Sequence, residues 1–398
     1  MSAIYPFAAL RPTPKAAAAV ASVPYDVVST EEARALAAGN PLSFLHVSRP
    51  EIDLAPGSDP HADAVYQQAA IAFKTLREDA PLVVEEMPSF YVYRLRMGEH
   101  VQAGLAACFS IDEYDRGLIK KHEKTRPDKE DDRTRHMLAI GAQTGPVFLT
   151  YRASKAVDNV VARIVQEKPL FDLTAPDGIR HEVWQVSSVE NQAIVDAFAK
   201  IDALYIADGH HRAASAARTR RNLAAKGDGE HDRVLAVAFP DNQMQVLPYN
   251  RVVRDLNGLT PDALVKAIAR TYAVTEGGPE SPAGKGQLAM YLAGKWHTID
   301  IKTAPDALDV DVLQTAVLEP VLGIQDIRTD KRIDFVGGIR GTRELERLVD
   351  NGDYAVAFSL YPVAVDDLMR IADAGGIMPP KSTWFEPKLR DGLLSHLI

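Results

Sequence analysis

The chain has 398 residues, of which 46% are hydrophobic and 25% charged, so it can form a core and has room for two or three domains. Its formal net charge of −9 argues against a nucleic-acid-coating protein or a membrane-surface binder. The single cysteine, Cys108, excludes an intrachain disulfide and a cysteine-rich zinc site, and its apolar surroundings in GLAACFSI predict a small buried residue. Because no apolar run approaches the ~18 residues of a membrane span and the N-terminus lacks a signal peptide, we expect a soluble cytoplasmic protein.

The predicted elements begin with a strand in VASVPYDVVS and a helix in TEEARALAAG. Ser29 or Thr30 is the expected N-cap of this helix, with Glu31 and Glu32 in its first turn. HADAVYQQAAIAFKTLRED has apolar residues at helical spacing and predicts an amphipathic helix. PSFYVYRLRMGEHVQAGLAACFSIDEYD predicts a β-hairpin that turns at Met-Gly-Glu-His.

A dense polar stretch follows in LIKKHEKTRPDKEDDRTRHMLAIGAQTGPVFLTY, residues 118–151. We interpret most charges of KKHEKTRPDKEDDRTR as a solvated loop, and we single out Glu123 and Arg133 as functional candidates. TRHMLAIGAQTG predicts a helix that ends at Gly145, before Pro146, and PVFLTY predicts a strand.

The remaining elements alternate between helices and strands. Helices are predicted in DNVVARIVQEK, ENQAIVDAFAKI, AASAAR, TPDALVKAIARTY, DVDVLQTAVLEPVLG, TRELERLVDNG and VDDLMRIADAGG. Strands are predicted in HEVWQVS, ALYIAD, RVLAVAFP, MQVLPYNRVV, RIDFVGG and YAVAFSLYP, and QLAMYLAGKWHTIDIK predicts a hairpin turning at Gly294. This mixture favours an α+β (mixed α/β) fold over a simple doubly wound sheet. We predict three segments: an N-terminal α/β segment 1–112, a core 113–255, and a C-terminal α/β segment 256–398 that packs back on the core.

The stretch YIADGHHRAASAAR indicates a strand, a tight turn and a helix start. Backbone N–H groups at a helix start suit an anion, Gly209 permits close approach, and the planar fork of Arg212 grips phosphate or carboxylate. His210 and His211 cannot both face one ligand from a regular helix, so at least one should lie in the turn. The alternative is that Asp208 is a simple N-cap and that the histidines are solvated.

These residues supply candidates for each role in phosphoryl transfer. Glu123 suits a general base, with His122 or Arg133 beside it to set its ionisation, and Asp208 suits Mg²⁺ as an oxygen ligand. The alternative for Glu123 and Asp208 is a salt bridge. A catalytic zinc is disfavoured, because no H-x-x-x-H pair on one helix appears among His122, His136, His181, His210 and His211.

Two other patches are candidates for substrate binding. In MPPKSTWFEPK, residues Lys381, Ser382 and Thr383 suit an anionic group, although the segment could equally pack its aromatic residues on the core with Lys381 solvated. We expect residues 381–388 to fold back towards the two central motifs, the one with His122 and Glu123 and the one from Asp208 to Arg212. In PYDVVS, Tyr25 and Asp26 could line a pocket, or Asp26 could cap a turn.

The order of these motifs resembles the ParB/sulfiredoxin-like nucleotide-binding fold. The order is His-Glu, an arginine ten residues after the glutamate, a helix, a Gly-Pro-Val strand and then Asp-Gly-His-His-Arg. Within that fold it looks most like the free-serine kinases. The resemblance implies that Glu123 is the catalytic base and that Asp208 to Arg212 hold the phosphates of ATP or ADP. An insertion, roughly residues 152–200, separates the His-Glu motif from the Asp-Gly-His-His-Arg motif.

The chain as a whole resembles the bacterial family called domain of unknown function 1015. The matching pieces are ALRP, VPYDVVS with NPLSFLHVSRPE, the HEKT…DDR box, DGHHR, LPYNRVV and IMPPKSTWFEPKL.

The leading functional expectation is a small-molecule kinase that phosphorylates free serine or a similar hydroxy acid. The alternatives are a nucleotide hydrolase or switch that cleaves CTP or ATP, and a DNA-associated ParB-like regulatory module. The second is weakened by the net charge of −9 and by the lack of an obvious helix-turn-helix. A sulfiredoxin-type reductase is disfavoured because the Gly-His-His turn contains no cysteine. The expected partners are a nucleotide and a small substrate, and the assembly could be a homodimer.

Overall fold

The computed structural model describes residues 2–79, 82–302, 304 and 306–398. The chain forms two compact units: Met1–Met244 with Pro387–Ile398 (unit 1), and Gln245–Glu386 (unit 2). Both contain helices together with mixed or antiparallel sheets, so the mixed α/β class is confirmed. The division into three segments at residues 112 and 255 stays a prediction.

The strands of the described residues are numbered in chain order. They are β1 (Ile4–Tyr5), β2 (Leu10–Pro12), β3 (Leu82–Val84), β4 (Tyr91–Met97), β5 (His100–Ser110), β6 (Ile119–Lys120), β7 (Ala142–Gln143), β8 (Val147–Tyr151), β9 (Phe171–Thr174), β10 (Arg180–Gln185), β11 (Leu204–Asp208), β12 (Arg233–Pro240), β13 (Gln245–Leu247), β14 (Tyr249–Val253), β15 (Ala273–Glu276), β16 (Gln287–Leu292), β17 (Lys295–Asp300), β18 (Ile333–Gly337), β19 (Val356–Leu360), β20 (Trp384–Glu386) and β21 (His396–Leu397). The predicted hairpin of β4 and β5 is confirmed.

The α-helices are α1 (Ala17–Val20), α2 (Thr30–Ala37), α3 (Leu45–Ser48), α4 (Asp63–Asp79), α5 (Ile111–Asp115), α6 (Pro127–Ile140), α7 (Lys155–Ile164), α8 (Asn191–Phe198), α9 (His210–Leu223), α10 (Pro261–Ala269), α11 (Asp309–Leu313), α12 (Thr342–Asp350) and α13 (Val365–Asp373). Short 3₁₀ turns and one π-helical segment, Gln314–Leu318, complete the described helical structure. The predicted cap of α2 is confirmed, because Ser29 and Glu32 form a reciprocal capping box. Within the described residues, no helix combines the length and apolar composition that a membrane crossing needs.

Unit 1 is built on a large mixed sheet with strand order β6-β11-β8-β12-β5-β4-β10-β9, to which β1 adds beside β5. The strands β8, β11 and β12 are buried along nearly their whole length, as expected for strands covered on both faces. The insertion at residues 152–200 contributes α7, α8 and the strands β9 and β10, which extend the sheet beyond β4. It is therefore part of the unit 1 scaffold.

Apolar residues cover both sides of this sheet. One cluster joins the sheet to α7, α8 and α9 and contains Val92, Leu105, Phe109, Leu149, Val157, Ile164, Phe198, Ile206, Ala213 and Ala217. A second cluster includes Phe44 and Phe73 and joins α4 to the end of α6. Cys108 is fully buried on β5, as predicted.

The charged stretch after β6 differs from the prediction. The helix expected at residues 134–145 begins at Pro127 and ends at Ile140, and Gly141 follows in the left-handed conformation, with φ of 62°. Pro127 suits the first helical position, and Asp128 and Glu130 complement the partial positive charge of the helix start, which favours this earlier beginning. The solvated-loop interpretation is therefore wrong from Pro127 onward.

Two predicted strands are also wrong in part. VASVPYDVVS, residues 20–29, forms turns with one isolated bridge from Ser22 to Asp391, because Pro24 cannot donate to a strand ladder and instead accepts a turn bond from Val27. MQVLPYNRVV is divided by Pro248 into β13 and β14, which belong to different sheets.

Unit 2 contains an antiparallel six-stranded sheet of order β15-β17-β16-β19-β14-β18, and a separate pair formed by β13 and β20. The predicted hairpin of β16 and β17 is confirmed, with its turn at Ala293 and Gly294. Helix α12 covers part of the sheet through Leu345, which packs with Val252 and Tyr291.

Candidate functional site

Two polar segments that lie far apart in the sequence meet at one edge of the large sheet. The strands β6 and β11 are parallel neighbours, with Leu204 opposite Ile119 and Tyr205 opposite Lys120. Because the carboxyl ends of parallel neighbours lie at the same edge, His122 and Glu123 emerge beside Asp208 and the start of α9. This strand pairing explains why the His122–Glu123 segment and the Asp208–Arg212 segment form one site.

Gly209 forms the sharp turn between β11 and α9. Its φ of 94° is in the left-handed region, and a Cβ atom at this position would lie 2.9 Å from Nε of Arg212. The first bond of the helix runs from the Ala213 N–H to the Gly209 carbonyl. The amides of His210, His211 and Arg212 therefore precede the helical ladder and point out of the helix start.

His210 lies where the two segments meet. Its Nε2 accepts a hydrogen bond from the His122 backbone N–H at 3.4 Å, and its Nδ1 lies 3.9 Å from Oε2 of Glu123. The rings of His122 and His210 meet edge to face, with centroids 4.4 Å apart. An Nε2 that accepts this bond leaves the proton on Nδ1, directed towards the carboxylate of Glu123.

Burial keeps both histidines neutral near pH 7. It lowers the pKa of His122 to about 4, although a backbone hydrogen bond with Ile206 opposes the shift. Burial also holds the pKa of His210 well below its usual range, and the neighbouring His122 adds to this effect. The side chain of Glu123 is 32% exposed, so the carboxylate can meet a ligand that arrives from solvent.

Arg212 folds back beneath the turn and is almost completely buried, with 4% of its surface exposed. Its Nη2 lies 3.6 Å from Oδ2 of Asp208 and 3.9 Å from Oδ2 of Asp26, and its Nη1 donates to the Pro146 carbonyl. Burial lowers the pKa of a guanidinium, but the charges of Asp26 and Asp208 outweigh this effect and raise the pKa of Arg212. The arginine is a fixed positive charge under the helix start.

The C-terminal segment adds two residues to the site that the sequence analysis did not select. Lys388 Nζ lies 3.0 Å from Oδ2 of Asp208. Asp391 is buried against Arg212 and Gly145, and its backbone pairs with that of Ser22. Lys388 is thereby brought to Asp208, but residues 381–386 belong to unit 2, so the fold-back of the whole segment 381–388 stays a prediction. The sequence signal that could have identified Lys388 was a lysine in an apolar, proline-stiffened segment.

The two acids respond to burial in opposite ways. Burial would raise the pKa of Asp208, but Lys388 and Arg212 hold it well below its usual range, so this carboxylate stays ionised. Burial raises the pKa of Asp391 to about 7; the charge of Arg212 opposes this shift, whereas Asp26 reinforces it. Asp391 can thus change its protonation state near neutral pH.

Tyr25 and Asp26 reach the same site from the N-terminal segment. The ring centroid of Tyr25 lies 4.2 Å from Cζ of Arg133, a cation–π contact that holds the tyrosine in place. Arg133 also donates from Nε to Oδ2 of Asp132 at 2.8 Å. The guanidinium of Arg133 thus acts on Tyr25 and Asp132.

Helices α6 and α9 are fixed to each other close to the turn. The Arg126 backbone N–H donates to Nε2 of His211 at 3.1 Å, and the Ser215 hydroxyl donates to the Glu130 carbonyl at 3.1 Å. His211 therefore faces the start of α6, while His210 faces Glu123. The two side chains thus face different neighbours. Both histidines nevertheless lie within α9, because Gly209 alone makes the turn, so the expectation that at least one of them lies in the turn is wrong.

The three C-terminal substrate candidates do not belong to the unit that holds these residues. Lys381, Ser382 and Thr383 are part of unit 2. Lys381 is exposed and its Nζ lies 5.5 Å from the ring centroid of Tyr249, whereas Ser382 is buried and its hydroxyl donates to the Pro379 carbonyl at 2.7 Å.

One group of side chains could hold a metal ion. The ligand atoms of His122, Glu123 and His210 lie within 4.8 Å of one another. Two imidazole nitrogens and one carboxylate suit a transition metal, whereas Mg²⁺ prefers oxygen ligands such as the carboxylate of Asp208.

Comparisons with known proteins give one clear relationship. No curated protein matches the chain. Among solved structures, a free serine kinase in complex with AMP is 14% identical, with a TM-score of 0.38, covering 73% of this chain and 91% of that chain. A conserved hypothetical protein from Pyrococcus furiosus is 15% identical (TM-score 0.38; 73% and 95% covered), and SbnI with C-terminal truncation from Staphylococcus aureus is 11% identical (TM-score 0.38; 73% and 87% covered).

These structural likenesses are too weak to carry an argument about fold or function. The family comparison is different, because the model described as "Protein of unknown function (DUF1015)" matches residues 4–319, more than half of the chain. The chain therefore belongs to the DUF1015 family.

Proposed function

We propose that the protein is a kinase that transfers a phosphoryl group from ATP or ADP to the hydroxyl of free serine or a similar small hydroxy acid. The observation that carries the proposal is the meeting of Glu123 with the start of α9, above the buried Arg212. It combines a carboxylate base with an anion-binding helix start, which are two of the components that phosphoryl transfer needs.

The phosphate groups of the nucleotide are proposed to lie over the Gly209 turn. The amides of His210 to Arg212 point out of the helix start, and Arg212 and Lys388 supply two positive charges beneath it. Charge-assisted hydrogen bonds to phosphate are stronger than neutral ones. Lys388 would exchange its contact with Asp208 for a phosphate oxygen when the nucleotide binds.

Glu123 is proposed as the base that accepts the proton of the acceptor hydroxyl. The neutral His210 can donate from Nδ1 to one carboxylate oxygen, which orients the carboxylate and leaves the other oxygen for the substrate. In the transfer step, a bond forms between the hydroxyl oxygen and the terminal phosphorus, and the bond to the bridging phosphate oxygen breaks. The proton passes to Glu123, and ADP or AMP leaves with the bonding electron pair.

Magnesium is proposed to enter with the nucleotide. Asp208 fits as its protein ligand, since this carboxylate stays ionised at the end of β11. Mg²⁺ usually keeps several waters and binds proteins through one or two carboxylates plus substrate phosphates. The magnesium ion would neutralise negative charge on the phosphate groups.

The acceptor is proposed to bind between Glu123 and Asp26. The Asp26 side chain is 36% exposed, and its negative charge suits the ammonium group of an amino acid. Tyr25 and Arg133 would support this position through their stacking contact. A cytoplasmic location fits the proposal, since ATP, ADP and free amino acids are abundant there, and a homodimer remains part of the hypothesis.

A phosphorus NMR assay tests the proposal. The purified chain is mixed with Mg²⁺, ATP or ADP, and each of L-serine, L-threonine, L-homoserine and glycerate. The expected result is one phosphomonoester signal that grows with AMP or ADP, that requires the hydroxy acid, and that is lost in Glu123→Gln. Glu99→Gln, a change at an exposed hairpin turn, is the matched control. Release of inorganic phosphate without phosphorylated acceptor would instead assign a nucleotide hydrolase, and no turnover with any pair would overturn the kinase proposal.

A further inference from the structure

Unit 2 contains a small cavity of about 50 Å³. It lies beside the first half of β14 and the end of β19, from which the chain leads into α13, and the start of α11 contributes to its wall. The lining residues used below are Arg251, Lys285, Asp309, Asp367 and Ser382. The remaining wall is mainly apolar, contributed by side chains such as Leu308, Val310 and Leu360.

Arg251 is the unusual member of this wall. It is 1% exposed and lies on the central part of β14, opposite Phe358 of β19. Its Nη1 donates to the Tyr249 carbonyl, and its Cζ lies 5.3 Å from the ring centroid of Phe335. Its Nε and Nη2 are buried and have no hydrogen-bond partner among the residues that the structure describes. One edge of the guanidinium fork therefore has no acceptor within the described part of the chain.

The acids of the cavity wall are engaged elsewhere. Both oxygens of Asp309 accept from the Gly286 N–H, at 3.0 and 3.2 Å. Asp367 binds Arg370 at 2.9 Å and Lys285 at 3.2 Å. A third acid, Asp311, acts on Arg251 through its charge. Burial raises the pKa of Asp311, and this shift weakens Asp311 as a counter-charge. Among the described acids, none thus forms an ion pair with the buried guanidinium of Arg251.

A buried, unpaired guanidinium edge is costly unless something accepts its hydrogen bonds. The planar fork of Arg251 matches the two oxygens of a carboxylate or phosphate. A cavity of about 50 Å³ has room for a compact group only. Ser382, one of the three anion-binding candidates from the sequence, lies on the same wall.

We propose that unit 2 binds a compact oxyanion, a carboxylate or phosphate group, on the free edge of Arg251. The group could be a free ion or the head of a small metabolite, and both present the same two acceptor oxygens. The proposal does not depend on the kinase function, because Arg251 and the residues of the turn at Gly209 belong to different units.

The test measures the thermal unfolding of the full chain during titration with sodium phosphate or sodium acetate, at constant ionic strength maintained with sodium chloride. The wild-type protein is expected to show saturable stabilisation by at least one of the two anions. Arg251→Met should weaken the apparent affinity at least about tenfold, because the fork and its charge are lost. Arg254→Met is the matched control, since this arginine follows β14, is exposed and contacts Tyr354.

Two further variants distinguish the outcomes. Arg212→Ala separates this site from the proposed phosphate site of unit 1: stabilisation kept in Arg212→Ala but lost in Arg251→Met supports the proposal, and the reverse pattern overturns it. Arg251→Lys keeps the charge but lacks the fork, so it should also bind at least about tenfold more weakly even if Arg251→Met does not fold. Equal stabilisation of wild type and Arg251→Lys by both anions, or no stabilisation beyond that by sodium chloride, overturns the proposal.

Discussion

Arg212 and Arg251 are both almost completely buried, yet their surroundings are opposite. Arg212 has Asp26 and Asp208 within 4 Å, and these charges raise its pKa despite burial. Arg251 has a carbonyl and an aromatic ring as its neighbours, and burial lowers its pKa to about 10. Burial alone therefore does not determine what a buried arginine does. The acids around Arg212 hold its charge in a fixed place in unit 1, whereas no such pair of acids holds Arg251 among the described residues.

The largest expected effect tests whether unit 1 carries the chemistry. Glu123→Gln keeps the shape of the side chain but removes its basicity. We expect turnover to fall at least about a hundredfold, within the range of about 10²–10⁴ for general base catalysis, while nucleotide affinity changes only a few-fold. Phosphorus NMR and calorimetry measure the two quantities. Near-normal turnover in this variant would show that Glu123 is not the base.

The second prediction compares the two arginines directly through stability. Arg212→Met leaves Asp26 without its counter-charge and Asp208 with Lys388 alone. It should lower the free energy of unfolding by about 2–4 kcal/mol, less than for fully buried acids because both acids remain partly exposed. Arg251→Met replaces an uncompensated charge with an apolar chain and should change stability by about 1 kcal/mol or less. Urea denaturation in phosphate-free buffer provides both values. Equal losses would remove the distinction between the two sites.

The third prediction concerns nucleotide affinity. Arg212→Ala removes a charge-assisted contact to phosphate and should weaken ATP or ADP binding by about 1.5–3 kcal/mol. Arg254→Met, in unit 2, is the control and should bind nucleotide like the wild type. Calorimetry with both nucleotides measures the effect. Unchanged affinity of Arg212→Ala for each nucleotide would exclude the proposed phosphate site.

The last prediction is a pH dependence from Asp391. This acid stays protonated in the folded chain up to about pH 7, whereas in the unfolded chain it ionises near its ordinary pKa. Its contribution to stability is therefore complete at low pH and is lost as pH rises towards 7, with a slope of at most about 1.4 kcal/mol per pH unit.

The difference between wild type and Asp391→Asn isolates this contribution. Subtraction is needed because burial lowers the pKa of His122 and His136 to about 4, and these groups give stability that increases with pH in the same range. We expect the variant to gain stability relative to wild type between about pH 4 and 7. If the free energies of unfolding of wild type and Asp391→Asn change in parallel with pH across this range, Asp391 does not titrate as described.

Local patterns predicted many elements correctly. The capped helix α2, the amphipathic helix α4 and the hairpins of β4–β5 and β16–β17 follow from periodicity, capping residues and turn residues, which act over a few positions. The wrong predictions fall where distant contacts or a proline determine the secondary structure. The charged residues after Pro127 form a helix that neighbouring helices hold in place. The Ser215 hydroxyl of α9 donates to the Glu130 carbonyl, and the Tyr66 hydroxyl of α4 donates to the Asp132 carboxylate.

The sequence by itself determined the turn at Gly209, since a left-handed glycine between a buried strand and an alanine-rich helix can be recognised locally. It also supplied the candidate groups Glu123, Asp208 and Arg212. Only the tertiary structure decided which groups meet: the parallel pairing of β6 with β11 brings Glu123 to His210, and the C-terminal segment brings Lys388 to Asp208. Periodicity and capping act between neighbours along the chain, whereas these contacts depend on strand order, which no local pattern encodes.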